Sequence, residues 1–183
     1  MSEQSDFDAQ SLDFLSNTKK PNLPPSDKMV KFGLEMLSHS SIGIGLLDYI
    51  RENNVKISVT TGPKERAFSP DGKNVVIVLR AVNPANPSRF VLLLVGGIRE
   101  LMQENSDDLA TPPPSKDGQT VLEQMRIKDA DRLTYMCGFA YEINQILTFS
   151  NYHIIEELKD MGHEKAWTIF ENGLYQYGIE EKK

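Results

Sequence analysis

In 183 residues the chain has one cysteine, one tryptophan and three histidines, and the scarcity of each thiol and imidazole excludes some chemistry. A lone cysteine, Cys137, makes no internal disulfide and no thiolate zinc site, and is expected to be a small buried hydrophobe. The histidines, His39, His153 and His163, include no pair at the i, i+4 spacing that lets two imidazoles grip one metal from one helical face. Basic residues are outnumbered, with 20 Lys and Arg against 26 Asp and Glu, a net charge of −6. Without a concentrated basic face, nucleic acid is not an expected partner. Long apolar runs are missing too. The longest, Phe90 to Ile98, is too short to cross a bilayer, so no membrane partner is expected. The acidic start "MSEQSDFDAQ" has neither the basic nor the apolar segment of a signal peptide, which points to a cytoplasmic protein.

What is present suffices for one domain. Residues 1–27, ending in "KKPNLPPSD", are too polar to offset the entropy of ordering and are expected to form a flexible acidic arm. Order is expected from Asp27, a good N-cap, into a helix with apolar Met29, Phe32, Met36 and Leu37. "SSIGIGLLDYIRENN" reads as a second helix with Ile44, Leu47 and Ile50 on one face and Asn53-Asn54 as its stop. "VKISVTT" alternates like a half-buried strand, "SPDGKN" reads as a turn, and "VVIVLRAV" as a β-branched strand. The three prolines of "NSDDLATPPPSKDG" forbid a helix there. A long helix is expected from Gln119 to about Phe149, with Leu122, Leu133, Met136, Ala140, Ile143 and Leu147 as its stripe. The last residues read as two short helices separated at Gly162. The domain is therefore expected over 28–150, with 151–183 a helical extension packed on it. The fold class is α+β.

The segment "RFVLLLVGGIRELMQE" (Arg89 to Glu104) carries two adjacent glycines in the densest apolar run. Three readings fit. A strand turning into a helix at Gly96-Gly97 would make a phosphate-binding loop, although Ile98, Arg99 and Glu100 follow where that motif needs Lys and Ser/Thr. A single core helix would use the glycines for close packing, each costing about 1 kcal/mol relative to alanine. The third reading is that side chains with chemistry have been lost there.

That third reading comes from a resemblance. The order of a small sheet, an apolar helix ending in "IRELMQ" and a long helix opening with "KDADR" resembles a group of bacterial zincin-like metallopeptidases. Their active-site helix reads roughly H-E-L-R-H-x-x-Q, and their next helix carries an E-A-D-A segment. The likeness runs through "GIGLLDYIRENNVKIS" and "FSPDGKNVVIV" and spans about residues 40 to 148. In register, Gly96 stands at the first His, Gly97 at the catalytic Glu and Glu100 at the second His, while Ile98, Arg99 and Gln103 keep the pattern. The resemblance implies a zincin-like fold, with a small antiparallel or mixed sheet packed against two long helices. It places a former third ligand at Asp129, which heptad arithmetic also puts on the apolar stripe. A partly solvated Asp129 near the helix start is the other reading. It implies a salt bridge between Arg99 and Asp131.

A zincin needs two imidazoles and a proton-accepting carboxylate. Glycines at 96 and 97 supply none of these, so no metal and no cofactor is expected. The expected function is that of a catalytically inactive metallopeptidase-like domain with a protein- or peptide-binding or regulatory role. The alternative is an active metal-dependent hydrolase with a carboxylate-rich site of Glu100, Asp129 and a distant His153. Serine hydrolysis has no support, because Ser40 and Ser41 lack the nucleophile-elbow glycines. In "KAWTIFENGLYQY", Trp167, Phe170, Leu174 and Tyr177 recur at helical spacing. They are expected either to close the core or to offer a partner surface.

Overall fold

The structure, a computed structural model, describes residues 25–60, 68–71, 73–78, 87–105, 118–146 and 153–176. The elements run α1 (Pro25–Leu37), α2 (Ser41–Asn53), β1 (Lys56–Thr60), β2 (Phe68–Asp71), β3 (Asn74–Val78), α3 (Ser88–Asn105), α4 (Gly118–Ile146), α5 (Ile154–Leu158) and α6 (Glu164–Gln176), with a π-helical turn at Lys159–His163. The class is α+β and mostly helical. Residues 25–27 of the expected arm belong to helix α1, and residues 1–24 lie outside the described residues. Helix α1 begins at Pro25, whose missing N–H suits a first turn, and Asp27 lies inside that turn rather than capping it.

Ser40 starts α2: its backbone is extended (φ −126°, ψ 151°) and its Oγ accepts from the N–H of Gly43 at 2.7 Å. Asn54, left-handed at φ 52°, ends it, as the Asn-Asn pair predicts. The buried face is shifted from the expected one. Leu47 and Ile50 pack half-buried against the core as expected and Gly43 and Leu46 are buried, while Ile44 is 49% exposed. Gly43 sets this rotation, because a Cβ there would lie 2.0 Å from the Leu37 carbonyl oxygen, so the helix turns its glycine toward α1.

Sequence reading finds two strands, and among the described residues there are three, in the order β1-β3-β2. β1 pairs parallel to β3, and β2 pairs antiparallel to it, with Asp71 opposite Asn74. The sheet is therefore mixed, not antiparallel. Half of the expected turn "SPDGKN", Ser69 to Asp71, is strand β2 itself, and β3 already begins at Asn74. Pro70 disguises β2, but an edge strand tolerates proline because one row of its backbone groups has no partner. Val75 and Ile77 of the central strand are fully buried.

Helix α3 explains the apolar run. It is one unbroken helix, and every residue from Phe90 to Ile98 is buried. Nine consecutive buried residues cover more than two turns, so no face of this stretch meets water. The cause is its place in the layers: the sheet packs on one side, α4 on another, and α1, α2 and α5 fill the rest. Burying each large apolar side chain here contributes about 1.5–3 kcal/mol. The long helix α4 packs on α3 rather than on the sheet, so the sheet does not rest against two long helices as expected.

Along α4, Met136, Ala140 and Ile143 are buried and Leu133 half-buried, as the stripe predicts. Leu122 departs from it at 58% exposed. Helices α3 and α4 are antiparallel, with Gln103 opposite Lys128, so α3 ends before it can cover the first turns of α4. Leu147 and the proline segment at 106–117 lie outside the described residues.

The C-terminal helices break at Gly162, as expected, because its φ of 88° is left-handed. They join the main core through Ile154, Leu158 and Trp167. Arg89 at the head of α3 is paired with buried Glu157 of α5.

Candidate functional site

Gly96 and Gly97 lie in the middle of α3, both buried. A strand-to-helix turn does not exist there, so the phosphate-loop reading is overturned. With it goes the reason for expecting a nucleotide-binding module.

Within the next two turns α3 becomes polar toward α4. Arg99 donates from Nε to Asp131 Oδ2 at 2.7 Å and from Nη2 to Oδ1 at 2.9 Å. This two-pronged geometry fixes distance and plane together. Gln103, 3% exposed, donates from Nε2 to Asp131 Oδ2 and to the Lys128 carbonyl at 2.9 Å. The guanidinium also lies over the Tyr135 ring, 4.1 Å from its centroid. Burial alone pushes the Asp131 carboxyl up, but hydrogen bonds from Arg99 and Gln103 and the Arg99 charge outweigh it and hold it below the usual carboxylate range. Burial likewise acts to lower the Arg99 pKa, and the Asp131 bonds and charge reverse the sign.

Asp129 does not join this network. Its side chain is 61% exposed and accepts from Arg132 Nη2 at 3.2 Å. The solvated reading of Asp129 is the correct one, and the core-stripe reading is not. The register set by Arg99 and Asp131 puts Gly96 and Gly97 level with residues near 133–134, about 7 Å along the axis from Asp129. Glu100 is half-buried one residue after Arg99. His153 stands at the start of α5, 74% exposed and 4.0 Å from Glu156, and is not brought to Asp129. The imidazole that feels the Asp129 and Arg132 charges is His163 in the π-helical turn. Among the described residues, no group of three His, Cys, Asp or Glu is placed to hold a metal ion. The carboxylate-rich trio of Glu100, Asp129 and His153 is therefore not assembled.

The C-terminal aromatic stripe divides. Trp167 is 5% exposed and packs on Phe170 at 5.8 Å between centroids, so it belongs to the core and not to a partner surface. Phe170 and Leu174 are half-buried, and Tyr177 lies outside the described residues. Between α4 and α6 runs an apolar groove of about 440 Å³, lined by Leu133, Cys137, Ala166, Phe170, Gly173 and Leu174 among others. The Cys137 thiol, buried there, is pushed up to about 11 by loss of solvation. The helical spacing of Phe170 and Leu174 marks one wall of this groove in the sequence; the other wall, from α4 about thirty residues earlier, has no such mark.

Among the described residues no helix is long and apolar enough to cross a membrane. The chain matches no known protein family, and neither a curated protein nor a solved structure matches it.

Proposed function

We propose that this chain is a catalytically silent, zincin-like domain that binds a protein or peptide partner. The observation that carries the reading is the Arg99–Gln103–Asp131 network. These are the polar positions that a metallopeptidase helix pair shares without using them for chemistry, and here they still join two helices. The positions that would do chemistry carry no donor side chain at 96 and 97. Asp129, at the would-be third ligand, is engaged by Arg132. The binding half of the proposal rests on the apolar groove between α4 and α6, whose volume lies in the range of ligand sites.

Metal analysis of untagged protein tests the first half. The expected result is zinc well below one equivalent, unchanged by Asp129→Ala. Stoichiometric zinc lost on that substitution supports the active-hydrolase alternative instead. A peptide-display screen tests the second half. Peptides selected by the native chain are expected to lose binding to Gly173→Leu, because a Cβ at Gly173 meets no atom within 4 Å and the new side chain fills open groove. Unchanged binding removes the groove from the proposal.

A further inference from the structure

A second cleft, of about 510 Å³, opens where α2, α3, α4 and α6 meet. Its walls are mostly apolar or aromatic: Met102 of α3, Tyr135 and Tyr141 of α4, and Phe170 of α6. Tyr141 and Phe170 form a corner, their centroids 6.3 Å apart and their planes at 59°. One carboxylate lies in this lining, that of Glu142. It accepts from Ser41 Oγ and from the N–H of Ile42 at 3.2 Å. Both donors are neutral groups at the start of α2. Among the described residues no Lys, Arg or His is paired with Glu142. A carboxylate has about four acceptor positions, so roughly two remain for a ligand.

Gly45 supplies a second, independent observation. It lies inside α2 with helical backbone, and a Cβ there meets nothing within 4 Å. Its neighbours differ. A Cβ at Gly43 would strike the Leu37 backbone at 2.0 Å, and one at Gly138 would lie 2.6 Å from Ile42 Cδ1. Packing therefore demands glycine at 43 and presses for it at 138, but not at 45. A helical glycine costs about 1 kcal/mol relative to alanine. At Gly45 that cost has no return in the fold, and what it leaves is room in the cleft.

We propose that this cleft binds a primary ammonium group carried on an apolar stem. The ammonium donates to Glu142 and the stem lies in the corner of Tyr141 and Phe170, where ring faces also favour a cation. The free side of the Glu142 charge selects for a cation over a neutral or anionic molecule, and the open space at Gly45 leaves room for the stem. The site does not depend on the zincin-like reading; it shares Phe170 with the α4–α6 groove, while Glu142 and Gly45 lie outside that groove.

Two sources supply such a group: a free amine, or a lysine side chain on a peptide. Nuclear magnetic resonance titration of the full chain with phenethylamine and with N-acetyl-lysine methylamide distinguishes them. Saturable shifts at the Gly45 and Phe170 amides are expected with at least one, and the tighter arm names the source. The neutral 2-phenylethanol is expected to bind at least about tenfold more weakly than phenethylamine. Glu142→Gln keeps an acceptor for Ile42 and is expected to weaken amine binding by about tenfold or more. Gly45→Leu blocks the cleft without touching the carboxylate and is expected to abolish binding with an unchanged or raised Tm. The proposal is overturned if neither amine shifts these amides. It is equally overturned if the alcohol binds within about twofold of the amine, or if folded Glu142→Gln or Gly45→Leu binds as the native chain does.

Discussion

Asp129 and Asp131 stand two residues apart on α4 and face opposite ways. Two helical steps rotate a side chain by about 200°, so one carboxylate meets α3 and the other meets water and Arg132. The pair locates the seam between the helices to within a residue, and the predictions about it follow from that difference.

Removing the inward carboxylate is expected to cost more than removing the outward one. Asp131→Ala strands Arg99 and Gln103 in a partly buried seam and is expected to destabilise by about 2–4 kcal/mol. Asp129→Ala, at an exposed i, i+3 pair, is expected to change stability by less than about 1 kcal/mol. Urea unfolding of the two variants measures both. Equal losses from them contradict the assignment.

Arg99→Lys keeps the charge but loses the fork and the flat contact with Tyr135. It is expected to recover less than half of the stability lost in Arg99→Ala. Full recovery shows that charge alone matters at this position.

Gly43 and Gly45 give opposite signs within one helix. Gly45→Ala is expected to stabilise by about 1 kcal/mol, since helix propensity is its main effect. Gly43→Ala places a methyl against the Leu37 carbonyl and is expected to destabilise by about 2 kcal/mol or more. Thermal melts report the contrast directly.

Stability is expected to fall as the pH drops below about 6.5. Burial lowers the pKa of His163, with help from the Arg132 charge and opposition from Asp129; burial also lowers that of His39, opposed by Glu35. The unfolded chain therefore takes up protons that the folded chain resists, and each penalty levels off once the folded histidine also protonates. His39→Gln and His163→Gln are each expected to flatten part of this slope in melts from pH 8 to pH 5. Asp131 acts in a lower window. Its folded pKa is depressed, so its stabilising contribution is present above the unfolded value near about 3.9 and is lost as pH falls through the folded value.

The sequence showed the fold unevenly, for physical reasons. Asn54 ends α2 as read because capping is local chemistry, whereas the Arg99–Asp131 contact was expected only from the resemblance and not from local spacing. Strand β2 was hidden because Pro70 is a poor strand residue unless the strand lies at an edge, and edge position is a tertiary fact. Leu122 continued a sound heptad beyond the point where α3 stops, and periodicity cannot register where a neighbour ends; Asp129 lies alongside α3 but turns away from it, on the opposite side of α4 from Asp131. Ile44 misled because a backbone clash at Gly43, not the apolar spacing, sets the rotation of α2. The second cleft was invisible for a similar reason. Glu142 and Ser41 are a hundred residues apart, and only the packing of α2 on α4 makes a shared wall of them.

An oily cylinder such as α3 offers no preferred height or angle to the layers that enclose it, since sliding by one turn exchanges leucines for leucines. The ionic clasp at its far end removes that degeneracy. A shift of one step would leave the guanidinium facing the wrong carboxylate or none, so this water-loving patch, with the Arg89–Glu157 pair at the other end, sets the alignment of the apolar interior between them.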